Sequence, residues 1–157
     1  MEAKKIVITG SATRIGAAIA ESLAGYGVQI TLHYNKSKKE VKELKIKLEN
    51  IGSKVFLIKA DLSITTQTKK IIPFAFKNMK GLDCLINNAS IFEKDALSNF
   101  NEKSFNNHLD INLKAPAILT QMFKNYLKLK KGGIINIIDQ RIFKLTPFFF
   151  SYTLSKA

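Results

Sequence analysis

The sequence has no second cysteine, and so no intrachain disulfide; the lone Cys84 fits a reducing cytosol. It has no apolar run near the ~20 residues needed to cross a bilayer, so no membrane role is expected. The chain runs almost at once into an apolar, β-branched stretch at residues 5–8, with no sign of a secretory or transit segment; a cytoplasmic location is expected. Arginine is nearly missing, present only at Arg14 and Arg141. Arginine is the usual reader of bases and phosphates, so the net charge of +13, carried by 23 scattered lysines, does not point to nucleic acid. It reads as a solvated surface that also attracts anionic small molecules. His33, His108 and Cys84 stand apart without ligand spacing, so no metal site is expected. His33 is read as facing the sheet surface, and Cys84 as a buried strand residue. Low-complexity linkers and internal repeats are absent too.

What is present is one domain's worth of alternating strands and helices over residues 1–157, with 46% hydrophobic and 24% charged residues. The central stretch is Thr9-Gly10-Ser11-Ala12-Thr13-Arg14-Ile15-Gly16. An apolar strand precedes it. Ile15, Ala18, Ile19, Leu23 and Tyr26 follow with the spacing of one helix face. Two glycines between strand and helix let backbone approach a bulky anion, and the helix N-terminal amides suit a pyrophosphate. The spacing is neither G-x-G-x-x-G nor a phosphate loop. A tight turn that binds nothing is the plain alternative.

Strand two is predicted over residues 28–34. Ser37 and Glu40 have the spacing of a capping box, and Val41, Leu44, Leu48 and Ile51 form a buried stripe ended by Gly52. Strand three follows at 55–58. A helix over 65–79 contains Pro73, which either kinks it or marks a start within it. Strand four covers 82–87, a long helix runs from 102 to 129, and strand five covers 134–138. Such alternation implies a parallel sheet with right-handed crossovers, whose ligands bind beyond the strands' carboxyl ends. Thr9, Tyr34, Asp61, Asn87 and Asp139 fall there.

Tyr152 and Lys156 lie four apart and share a helix face. An ammonium beside a phenol favours the phenolate and brings its pKa toward useful acid-base work. A surface pair is the alternative for this motif taken alone. Pro116 lies four residues after Asn112 and has no N–H for the Asn112 carbonyl. That carbonyl either holds a water of a proton relay or marks a simple kink.

Thr9-Gly10…Gly16, Asp61-Leu62, Asn87-Asn88-Ala89, Asn112 and Tyr152…Lys156 stand in the order and spacing of the short-chain dehydrogenase/reductases, which the whole chain resembles. The resemblance implies an α/β, Rossmann-type doubly wound sheet of order 3-2-1-4-5. It implies NAD(P)-dependent hydride transfer to a small carbonyl or imine substrate. Tyr152 would be the proton donor, Asn112 a relay residue, and Lys156 both tuner of the tyrosine and holder of the nicotinamide ribose. The cofactor residues implied are Gly10, Arg14, Ile15, Gly16, Asn35, Lys36, Ser37, Asp61, Leu62, Asn88, Ala89, Ser90 and Lys156.

Asp139 departs from the family, most of which has serine thirteen residues before the tyrosine. Pteridine reductases are more similar, with aspartate there. They also share the arginine of the glycine turn (Arg14), a His-Tyr pair followed by a basic residue and serine (His33 to Ser37), and Asn-Ala-Ser with an aromatic (Asn88 to Phe92). That similarity implies a pterin ring packed on Phe92, with Asp139 and Tyr152 also at the substrate; Phe92 as a core residue is the alternative. Asp139 is either a general acid with a raised pKa or a group that orients Tyr152. NAD enzymes place an acid after strand two. This chain has Asn35, Lys36 and Ser37 there, with Arg14 nearby, which favours NADP(H). Capping and solvation are the alternative roles for Lys36 and Ser37.

Members of the family continue past the position of Ala157, through more helix, two strands and a substrate-covering segment. On that ground the chain is expected to be truncated, to lack the helix of the usual homo-oligomer interface, and to leave strand five as an exposed edge and the Tyr152 helix as a fraying stub. A 3-oxoacyl or ketone reductase and an inactive nucleotide-binding fragment are the alternative functions.

Overall fold

The computed structural model describes residues 4–127 and 131–157. Five parallel strands form one sheet: β1 (Lys4–Ile8), β2 (Val28–Tyr34), β3 (Lys54–Lys59), β4 (Cys84–Asn87) and β5 (Gly133–Asn136), in the order β3-β2-β1-β4-β5. Helices cover both faces. That is why β1 is apolar without a break: Val7 enters the core on one face, with Leu85, Ile72, Leu119 and Phe123, while Ile6 and Ile8 enter the other, with Ile30, Leu32, Val41 and Leu48. The order reverses between β1 and β4, and at that switch point the carboxyl ends splay into a crevice.

Helix α1 (Arg14–Leu23) corrects the predicted stripe. Its buried residues are Gly16 and Ala20, while Ile15, Leu23 and Tyr26 are exposed, Tyr26 at 97%. Small residues let the helix lie close against the sheet, and that close approach outweighed apolar periodicity. Helix α2 (Lys38–Asn50) buries Val41, Leu44 and Leu48 as expected, but Ile51 lies past its end and is exposed. Ser37 occupies the N-cap position without a side-chain capping bond, so the box is not formed.

The helix expected over 65–79 is two: α3 (Thr65–Thr68) and α4 (Ile71–Met79), with Pro73 in the first turn of α4. Proline is tolerated in a first turn, where N–H groups have no helical partner. The long helix is α5 (Glu102–Leu109), a π turn (Asp110–Lys114) and α6 (Ala115–Leu127); its expected end at Leu129 lies outside the described residues. The wide turn, closed by the Ala115 N–H on the Asp110 carbonyl, sits just before Pro116 and accommodates a ring that cannot donate to Asn112. After β5 come a short 3-10 turn (Gln140–Ile142) and α7 (Phe150–Lys156). α7 is formed rather than frayed, with Ser151, Tyr152 and Ser155 buried. β5 is an edge strand, exposed along its length.

Candidate active site

The crevice at the switch point is a cleft of about 710 Å³. Its floor is the glycine turn. Gly10 is left-handed (φ 61°), and a Cβ on it would stand 2.7 Å from the Ala89 Cα. A Cβ on Gly16 would stand 2.2 Å from the Gly10 carbonyl oxygen and 2.6 Å from Asn88 Nδ2. Both glycines are therefore required by packing of the turn against the loop after β4, whatever the cleft holds. Asn88 Nδ2 donates to the carbonyls of Thr9 (2.9 Å) and Gly10 (3.0 Å). Thr9 Oγ1 accepts from the N–H groups of Asn88 and Ala89, both at 3.0 Å. Thr9 and Asn88 thus brace the turn.

His33 corrects the expectation that it faces the sheet surface. It is buried below the turn, where Nδ1 accepts the Gly10 N–H at 3.1 Å and Nε2 lies 3.0 Å from the Ala60 carbonyl oxygen. An accepting Nδ1 puts the ring proton on Nε2, which donates to Ala60. Burial lowers the His33 pKa to about 4, against the opposing pull of the Ala60 bond and Asp61. Sequence reasoning passed over His33 because nothing in its spacing resembles a ligand set.

Arg14, Ile15, Asn35, Lys36 and Ser37 line one end of the cleft, with Asp61 and Leu62 beside them. Arg14 holds φ 53°, a left-handed angle at the end of the turn. The uncapped Ser37 hydroxyl makes no hydrogen bond among the described residues. Asp61 is lowered by the hydrogen bond from Ser63, with help from Asn35 and Lys36. Two cations, an amide and an unspent hydroxyl make a donor set that fits a nucleotide phosphate.

At the other end Tyr152 Oη donates to Asp139 Oδ2 at 2.6 Å. Both groups line the cleft, with Ala89, Ser90 and Phe92. Two expectations need correction here. Asp139 is not a neutral acid: the bonds from Tyr152 and the Arg141 N–H lower its pKa. Of the two readings, it is the acceptor that orients Tyr152. Tyr152 in turn is raised, not lowered, by burial first and then by the Asp139 carboxylate; Ser90 and Arg141 only partly oppose this. Lys156 Nζ donates to the Ile137 carbonyl at 2.9 Å; burial lowers the amine's own pKa, and its charge acts on Asp139.

Phe92 is no core residue. It is 50% exposed, stacks on Phe149 (4.2 Å between centroids, 6° between planes) and meets the Tyr152 ring edge-on at 4.6 Å. The Arg141 guanidinium lies 4.4 Å from the Phe149 centroid and 5.2 Å from that of Phe92. Asn112 stands behind the cleft and is fully engaged. Oδ1 accepts from Ser90 Oγ and the Ile91 N–H, and Nδ2 donates to the Ile91 carbonyl and to Ser155 Oγ. The structure therefore brings the predicted residues to one cleft, apart from Lys156 and Asn112, which stand behind its wall. His108 is buried, accepting from the Glu93 N–H and packed edge-on to Tyr152. Cys84 is half-buried in β4, with burial raising its thiol. No cluster of metal-ligating side chains occurs among the described residues, and no described helix is long and apolar enough to cross a membrane.

Residues 4–157 match the family model for short chain dehydrogenases. The chain belongs to the short-chain dehydrogenase family. It is 32% identical over 158 residues to the 2-dehydro-3-deoxy-D-gluconate 5-dehydrogenase of Bacillus subtilis, covering 99% of this chain and 61% of the relative. It is 33% identical to the 3-oxoacyl-[acyl-carrier-protein] reductase FabG of Buchnera aphidicola, covering 85% and 54%. Among solved structures, FolM alternative dihydrofolate reductase 1 from Brucella canis, complexed with NADP, superposes with a TM-score of 0.89 at 34% identity, over 96% of this chain and 62% of that one. The chain thus spans just over half to three-fifths of the length of these short-chain dehydrogenases.

Proposed function

We propose that the chain carries the nucleotide-binding and proton-donating parts of an NADPH-dependent short-chain reductase acting on a carbonyl or imine, with Tyr152 as proton donor. The observation that carries this reading is the Tyr152–Asp139 hydrogen bond at the end of the cleft opposite Arg14, Lys36 and Ser37. When bound, NADPH would supply the hydride. Arg14, Lys36 and Ser37 suit its 2′-phosphate, and the absence of a carboxylate directly after β2 removes the usual ribose acceptor of NAD enzymes. The neighbour's NADP complex agrees with this choice. A phenol held neutral by Asp139 is in the form that gives a proton to a developing alkoxide or amide.

Asp139, the half-exposed ring of Phe92 and the likeness to a FolM alternative dihydrofolate reductase support a pterin as substrate. The FabG relative supports a 3-oxoacyl thioester as the second reading. NADPH oxidation with a dihydropterin and with a 3-oxoacyl thioester separates the two, the pterin being the expected faster substrate. Tyr152→Phe is expected to cut the rate by roughly 100-fold or more. NADPH binding with no turnover would identify a nucleotide-binding protein instead, and a rate indifferent to Tyr152→Phe would remove Tyr152 as the proton donor.

A further inference from the structure

Tyr152 and Lys156 ride on a seven-residue helix whose own start is poorly made. Phe149 at the N-cap has no side-chain acceptor and holds φ 64°. The first N–H groups of a helix need acceptors, and a helix this short does not sustain itself. The acceptors come from Asp95, 56 residues upstream. Its main-chain carbonyl accepts the Phe149 N–H at 2.7 Å. Its carboxylate accepts the Ser151 N–H, at 3.1 and 3.3 Å to the two oxygens, and also the Ser151 hydroxyl. Asp95 and Ser151 are both buried, and Asp95 forms no ion pair among the described residues, so its charge faces the positive end of the helix.

We infer that Asp95 is a positioning residue, which caps α7 from outside and so fixes where the Tyr152 hydroxyl and the Lys156 ammonium stand. Its place in the fold supports this. Asp95 belongs to the loop after β4 that also carries Ser90 and Phe92, and Asn112 ties that loop to the far end of the helix through Ser155. The loop and α7 are joined at both ends of the helix. The part Asp95 plays in turnover rests on the reductase reading; its part in placing Tyr152 does not.

The test is an NMR titration of the whole chain with 13C at the tyrosine ζ carbon, which resolves Tyr152 from Tyr26, Tyr34 and Tyr126. In the wild type Tyr152 is expected to titrate above the ~10 of free tyrosine. In Asp95→Ala it should fall toward the free value as its hydroxyl leaves Asp139, with burial still holding it somewhat high. Asp95→Asn keeps a capping acceptor and should stay close to wild type. Turnover in Asp95→Ala should fall roughly 10- to 100-fold, with a smaller change in KM for NADPH, and recover in Asp95→Asn. A Tyr152 midpoint that does not move in Asp95→Ala overturns the inference. If that variant unfolds, shown by collapse of its amide spectrum, Asp95→Asn decides: wild-type behaviour of Tyr152 there upholds capping by an acceptor, and a folded Asp95→Asn in which the Tyr152 midpoint falls as its hydroxyl leaves Asp139 overturns it. A shifted Tyr152 in a protein whose turnover is indifferent to Tyr152→Phe upholds the positioning role and refutes the proton-donor role given to Tyr152.

Discussion

His33 works by staying neutral. Its Nδ1 lone pair accepts the Gly10 N–H, and a proton on that nitrogen would set two donors face to face under the turn. The folded-state pKa of about 4 lies below the unfolded 6.5, so the unfolded chain binds the proton first on acidification. The His33 contribution is complete above pH 6.5 and is lost as the pH falls toward 4, by about 3 kcal/mol at most. Denaturant midpoints at pH 7, 5.5 and 4.5 check this. Wild type is expected to lose stability faster over that range than His33→Gln, which starts less stable but has no imidazole to protonate. Lowered carboxylates such as Asp61 and Asp139 are common to both proteins and drop out of the difference. His33 was legible only through its His-Tyr pair in the pteridine reductase pattern, not as a support of the turn, and Asp95 was not legible at all. Each acts on backbone groups tens of positions away, and such pairings leave no local spacing to read.

Among elements, the strand–turn–helix at the start of the sheet shows how far local pattern reaches. β1, β2 and the glycine turn could be read because both faces of the sheet are covered and the strands are correspondingly apolar. The face of α1 was misread: close contact with the sheet favours Gly16 and Ala20 over the larger Ile15 and Leu23. Two glycines, Gly16 inside α1 and Gly25 just after it, should therefore behave oppositely. Gly16→Ala drives a methyl against a carbonyl oxygen and a hydrogen-bonded amide, and should cost about 2 kcal/mol and weaken nucleotide binding. Gly25→Ala meets nothing within 4 Å and should be neutral, or stabilise by a few tenths of a kcal/mol. Thermal or chemical unfolding of the two variants checks the contrast. The π turn before Pro116 was half legible: the proline told where the helix is disturbed, but how the backbone absorbs it depends on the packing around Asn112.

At the scale of the whole molecule, 23 lysines against 12 acidic residues give a positive field that no single contact explains. Its expected effect is on encounter. NADPH association should slow markedly between 50 and 500 mM salt as the Debye length shrinks to about 4 Å, while dissociation changes less; stopped-flow fluorescence measures both. At either salt NADPH should bind more tightly than NADH, and equal or tighter NADH binding would refute the role given to Arg14, Lys36 and Ser37. Parallel pairing follows the strand–helix alternation, which leaves few topologies, whereas the strand order and the meeting of Gly10, Asn88, Asp139 and Tyr152 in one cleft follow what the family resemblance implied. The ionisation of the Tyr152–Asp139 pair did not follow, because it depends on the burial of the phenol and on its bond to Asp139.

The strand order also sets a timetable. β1 to β4 complete the glycine-turn end of the crevice, whereas β5 and α7 follow them in the chain, emerge later and dock beside strands already made. The Tyr152–Asp139 bond thus closes one end of the crevice only after the glycine turn at the other end stands ready.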